Sequence, residues 1–146
     1  AGREVGIDVT IFDAKGDVRR MQQGISQAVS QKHDAIILLG ITALGGLTMA
    51  ILRWRGAPRP PDWLAMLHGL LAAAGLTLLI HAALTVGIPS MAMLALGLFV
   101  VAALGGTYLN LRYHTKLLPL PKGWMVGHAV LAVVAYGLLL LSSGAG

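Results

Sequence analysis

Residues 63–86 read WLAMLHGLLAAAGLTLLIHAALTV, and none of the twenty-four is Asp, Glu, Lys or Arg. An apolar run longer than about 18 residues, rising about 1.5 Å per residue, can cross a hydrocarbon core of about 30 Å as a helix. Residues 35–54, 91–113 and 123–142 read the same way, with Arg53 and Arg112 as their only charges, both near an end. Composition agrees. Hydrophobic residues make up 56% and charged residues 12%, about half the charged share of a soluble domain. Too little polar surface remains to cover a soluble core.

The charges are segregated. Ten of the seventeen lie before Ala35, and the other seven sit in RWRGAPRPPD (53–62) and RYHTKLLPLPKG (112–123). Each of these loops carries three Lys or Arg, whereas the connection near 86–90 and the tail SSGAG carry none. Basic residues concentrate in short cytoplasmic loops, so both basic loops are expected in the cytoplasm and both termini in the periplasm of a bacterial inner membrane. Arg53, Arg55, Arg59, Arg112, Lys116 and Lys122 then serve as topology anchors. The isoelectric point near 10 follows from them and is not a nucleic-acid signal. Prolines in both loops suit stiff, non-helical links. With no cysteine, disulfides, thiolate catalysis and Cys-based metal centres are excluded. No Walker loop, HExxH or Ser/His/Asp arrangement occurs, so no catalytic cluster is expected.

The first forty residues differ in kind. Val9 and Ile11 alternate with Thr10 and Phe12 as in a strand, residues 14–16 suit a turn, and Asp17 suits the N-cap of a helix striped by Val18, Met21, Ile25 and Val29. The pattern V-x-x-x-D-A-x-G-D from Val9, a Gln-rich helix and K-x-D-A-I-I-L from Lys32 resemble part of the N-terminal lobe of ribose-type periplasmic sugar-binding proteins. The resemblance covers about residues 5–40 and implies a β/α periplasmic segment. That family's first strand and helix, its hinge and its second lobe have no counterpart, and GITALGG follows Leu39 where the family turns through proline, so sugar binding is not carried over. The segment is expected to reach the periplasm behind a leader since removed, or with the first membrane helix directing insertion.

Keeping 35–40 as that family's strand would leave 41–54 as the first span, about 21 Å and too short. An internal repeat resolves this. Shifted by sixty, Ala43, Leu44, Gly45 and Gly46 fall on Ala103, Leu104, Gly105 and Gly106, while Pro61 falls on Pro121, Leu71 on Leu131 and His68 on His128; Trp63 sits one place from Trp124. Two crossings per repeat preserve direction, so the halves are expected as parallel repeats about an axis along the membrane normal. The expected fold is an all-α membrane protein: four helices in two repeats (35–146) after the β/α segment (1–34).

The repeat pairs His68 with His128 at one depth. Ionisable residues inside a span are expensive and usually face the protein interior. Gly69 and Gly127 flank the histidines, and Gly45, Gly46, Gly105 and Gly106 thin the neighbouring helices. One imidazole from each of two helices is the ligation of a low-spin b-type haem, and bundle cores commonly hold cofactors this way. In its histidines and glycines the chain looks like a four-helix bacterial b-type cytochrome, which implies haem b with His68 and His128 on the iron. The same residues also read as helix packing at small-residue pairs and histidines hydrogen-bonded for structure alone.

His81 is a secondary candidate as ligand or proton relay, or else a hydrogen-bond partner of Thr77 or Thr85; its repeat partner is Leu141. His114 and His33 read as surface residues, and Thr107, Tyr108 and Asn110 as sources of interhelical bonds. Propionates of a haem near the basic loops could pair with their cations. Three functional classes follow: electron transfer through haem, with quinone or another membrane subunit as partner; a cofactor-free accessory subunit of a larger complex; and, least supported because no carboxylate lies inside a span, a transporter or channel.

Overall fold

A computed structural model describes the backbone of residues 2–85 and 87–144, with side chains from 18 onward except 24, 25, 27–32 and 144. The chain forms α1 (Gly2–Trp54), α2 (Asp62–Thr85), α3 (Ser90–Leu109), a π-helical turn (Asn110–His114) continuing α3, and α4 (Lys122–Gly144). Four segments are long and apolar enough to cross a membrane: His33–Trp54, Asp62–Thr85, Ser90–His114 and Lys122–Ser143. Each lies within two residues of its sequence-based bounds at both ends.

The packing is that of helices solvated by lipid. Exposed positions carry Leu44, Leu70, Leu84, Leu104 and Val133, while the buried set is rich in alanine: Ala35, Ala82, Ala92, Ala95, Ala102 and Ala135, with Leu79 and Leu139. Lipid tails are as apolar as leucine, so helices gain by close backbone approach rather than by hiding large side chains. α1 packs mainly on α2 and α3 mainly on α4, with smaller contacts of α1 with α4 and α2 with α3. The molecule is thus two hairpins meeting at a seam. Buried Ala35, Leu39, Thr42 and Leu79 recur sixty residues on as buried Ala95, Phe99, Ala102 and Leu139.

The N-terminal segment departs from the sequence expectation. No strand occurs among the described residues, and α1 is one helix from Gly2 through Trp54. Val9–Phe12 and the turn at 14–16 are helical, and Asp17 is an interior residue rather than a cap. The physical reason is pairing. A strand's backbone groups need neighbouring strands, and the sheet that supplies them in sugar-binding proteins has no counterpart among the described residues; a helix satisfies its own. Val18 and Met21 are exposed, so this part of the stripe is not docked on the bundle; the Ile25 and Val29 side chains lie outside the described residues. Residues 35–40 are helical, as span length requires.

The two hairpin loops share a construction that the sequence match conceals. α1 ends with Ala57 N–H bonded to Leu52 C=O (3.1 Å) and Gly56 N–H to Arg53 C=O (3.4 Å), with Gly56 at φ +103°. α3 ends with Leu118 N–H to Tyr113 C=O (2.9 Å) and Leu117 N–H to His114 C=O (3.0 Å), with Leu117 at φ +57°. Both are Schellman closures, but they stand sixty-one residues apart. The π-helical turn adds one residue to α3, and the second loop is one residue shorter, so the register returns to sixty at Pro61 and Pro121. Their carbonyls accept from Ala65 and Met125 at 3.1 Å each. The loops also hold each other, through Arg53 Nε to Leu120 C=O (2.9 Å) and Leu120 N–H to Pro58 C=O (3.1 Å).

The π-helical turn overturns one expectation. His114, expected to be solvated, is buried, with Nε2 3.0 Å from Asp62 Oδ1, which also takes a 2.7 Å hydrogen bond from Arg59. The His114–Asp62 approach is close, but neither ring nitrogen meets hydrogen-bond geometry. The extra residue rotates the end of α3, and with it His114 turns toward the start of α2.

Candidate functional site

His68 stands six residues into α2, about 9 Å along the helix from Asp62, and His128 occupies the matching place in α4. His68 Nδ1 lies 3.0 Å from Thr42 C=O on α1, and His128 Nδ1 lies 2.9 Å from Ala102 C=O on α3. A carbonyl oxygen only accepts, so Nδ1 carries the proton in both rings. In the neutral tautomer with this bond the lone pair lies on Nε2, the form that binds metals, and backbone carbonyls orient ligating histidines in this way.

The glycine pairs make these bonds possible. A Cβ at Gly46 would stand 3.1 Å from His68 Cε1, and one at Gly106 would stand 3.0 Å from His128 Cε1. Gly45 and Gly105 are at ordinary contact, 3.8 and 3.9 Å from Nδ1. Gly69 and Gly127, expected beside the site, face open space.

The two rings meet across the seam. Their centroids are 6.2 Å apart and their planes cross at 73°. Between the hairpins lies a void of about 70 Å³ lined by Leu39, Thr42, Ala43, His68, Ala72, Leu76, Phe99, Ala102, Ala103, His128, Ala132 and Tyr136. These twelve residues are six pairs at a spacing of sixty: 39 with 99, 42 with 102, 43 with 103, 68 with 128, 72 with 132 and 76 with 136. A larger hollow of about 390 Å³ at Leu52, Ala57, Arg59, Pro60, Pro61 and Asp62 is an open dent in the loop surface, remote from the imidazoles.

Other candidates are not drawn in. His81 is exposed on α2 and touches the void nowhere; the Thr85 hydroxyl donates to its backbone carbonyl at 2.8 Å. His33, Thr107 and Asn110 are exposed. Tyr108 instead joins an aromatic cluster at the basic-loop end, its ring centroid 6.1 Å from Tyr113 and 5.3 Å from Trp124, while Arg112 lies 5.7 Å over Tyr113. Aromatic rings of this kind suit a membrane–water interface. Tyr136 was not singled out in the sequence; the signal that finds it is its place eight residues, about two helical turns, beyond His128 on the same face.

The spacing of the two rings, 6.2 Å between centroids, equals what one shared metal needs. Two metal–nitrogen bonds of about 2 Å plus the half-widths of two imidazoles put the centroids about 6 Å apart, and rotation about that axis leaves the bonds intact whatever the interplanar angle. Among the described residues no group of three or more His, Cys, Asp or Glu could hold a metal ion, so a metal held by these two nitrogens needs its other ligands from a chelate. The void has room for about two waters at about 30 Å³ each, so a disc-shaped ligand needs more width along the seam than this structure shows. Ala43 on its rim is exposed, so the void reaches the bundle surface there. Comparison with protein-family models, curated proteins and solved structures finds no match.

Proposed function

We propose that the chain is a small subunit of a bacterial inner membrane, with periplasmic termini, that holds one b-type haem between its hairpins for electron transfer with quinone or a partner subunit. The observation carrying this reading is the His68–His128 pair, two in-span imidazoles 6.2 Å apart with both Nδ1 edges anchored. A bound haem would supply an iron that changes by one electron, and His68 and His128 are the residues that would hold it. The protein's part is to present two Nε2 lone pairs on rigid helices, to hold their tautomer through Thr42 and Ala102, and to exclude water with an alanine-rich lining. The two hairpins act as parallel repeats, each giving one ligand.

A second reading is a cofactor-free accessory subunit in which the histidines only tie α2 to α1 and α4 to α3. Its support is the small size of the void and the fact that each Nδ1–H already has a carbonyl partner. Absorption spectroscopy separates the two. Purified protein with a Soret band and a sharp reduced α band supports the haem reading. A colourless protein that stays colourless on incubation with hemin leaves the accessory reading.

A further inference from the structure

The lining of the void is two-fold in position but not in kind, and the break centres on one residue. Tyr136 on α4 corresponds to Leu76 on α2. The residue it meets, Gly40 on α1, corresponds to Val100 on α3. A Cβ at Gly40 would lie 2.6 Å from the Tyr136 hydroxyl oxygen, so glycine is the notch that admits the phenol. The hydroxyl then donates to Ile36 C=O at 3.3 Å, across the seam. On the other side the matching positions hold Val100 on α3, which is exposed, and Leu76 on α2, and neither carries a hydroxyl. The other unequal pairs are weaker in kind. Leu39 and Phe99 are both apolar, and the Thr42 hydroxyl is spent on Leu38 C=O at 2.8 Å.

We propose that Tyr136, seated in the Gly40 notch, is the positioning residue that makes the two sides of the site unequal and so holds an inserted tetrapyrrole in one of its two orientations. This rests on the haem reading. An axis relating His68 to His128 passes between them, so it lies in the plane of any macrocycle they hold from opposite faces. Turning the macrocycle half a turn about that axis exchanges the two histidines. The edge substituents of a b-type haem are not two-fold symmetric, so the turned form is a distinct complex. A symmetric pocket would bind both forms equally, and only unequal flanking residues can choose. A phenol fixed by a cross-seam hydrogen bond supplies a rigid shape difference at one edge.

The test is proton NMR of the hyperfine-shifted methyl resonances of the ferric protein reconstituted with hemin in detergent. The wild type should show one dominant set, in excess by about fivefold or more, the factor expected of about 1 kcal/mol from one neutral hydrogen bond. Gly40→Val with Tyr136→Leu copies the residues of the opposite side, and should bring the two sets toward equality while the low-spin absorption spectrum is retained. Tyr136→Phe keeps the ring, loses the bond, and should fall between. A double variant that keeps the wild-type ratio, or a wild type with equal sets, overturns the orienting role while leaving the haem reading in place. A wild type that takes up no hemin overturns both.

Discussion

Gly46 and His68 meet closely across the α1–α2 interface: a Cβ at 46 would stand 3.1 Å from His68 Cε1, tighter than ordinary contact. Gly106 and His128 repeat the relationship across α3 and α4 at 3.0 Å. Each glycine lets an imidazole reach the helix backbone and bond the carbonyl four residues before it. Glycine is thus the condition for the histidine's orientation.

Substituting these glycines should therefore separate them from their neighbours. Gly46→Ala and Gly106→Ala should each destabilise the purified protein by about 1–3 kcal/mol, the usual cost of overpacking a closed contact. Gly45→Ala and Gly105→Ala, at ordinary contact distance, should cost much less. Gly69→Ala and Gly127→Ala, facing open space, should be neutral or stabilising by up to about 1 kcal/mol, since alanine is the better helix former. Thermal melts in one detergent rank all six; equal losses at 46 and 69 would contradict the geometry.

The paired histidines should fail alike. With hemin bound, His68→Ala and His128→Ala should each abolish the low-spin spectrum and leave a high-spin or unloaded protein, to the same extent within about twofold, because both make the same bond to the same kind of carbonyl. His81→Ala should keep the wild-type spectrum. An unchanged low-spin spectrum in His68→Ala would rule out the symmetric site.

The helix closures offer a test independent of any cofactor. Leu117 holds φ +57° where the matching closure of α1 has Gly56 at φ +103°. Leu117→Gly should raise stability by about 1 kcal/mol, because a side chain in the left-handed region is strained and glycine is not. Gly56→Ala should lower it by a similar amount. A fall in melting temperature for Leu117→Gly would show that its exposed side chain matters more than its backbone.

Orientation in the membrane follows from the six Lys and Arg in the two basic loops. A cysteine placed at Ser143 should react with a membrane-impermeant thiol reagent added to intact spheroplasts, and one at Ala57 should react only after lysis. Opposite labelling would invert the topology and place the imidazoles nearer the periplasmic face.

Much of the architecture is legible in one dimension. Hydropathy locates each span because the length of a membrane helix is set by the bilayer and needs no partner. The shift of sixty pairs His68 with His128 because a repeat shows in residue identity before it shows in space. The misses share a cause. The alternation at Val9–Phe12 reads as a strand, but strands depend on neighbours, and no strand occurs among the described residues. His114 lies in a basic loop by sequence, yet one added residue in a π-helical turn rotates it inward. That insertion is masked because the following loop is one residue shorter, so the ungapped match runs straight through it.

Apolar length, loop charge and the repeat are properties of the chain read residue by residue, and they alone determine a four-helix membrane protein with two equivalent histidines. Whether those histidines meet, which tautomer they hold, which glycines they need, and that Tyr136 reaches through the Gly40 notch are decided only when the hairpins pack. Those properties depend on distances of about 3 Å between residues 22 to 100 positions apart, and no local pattern encodes such contacts.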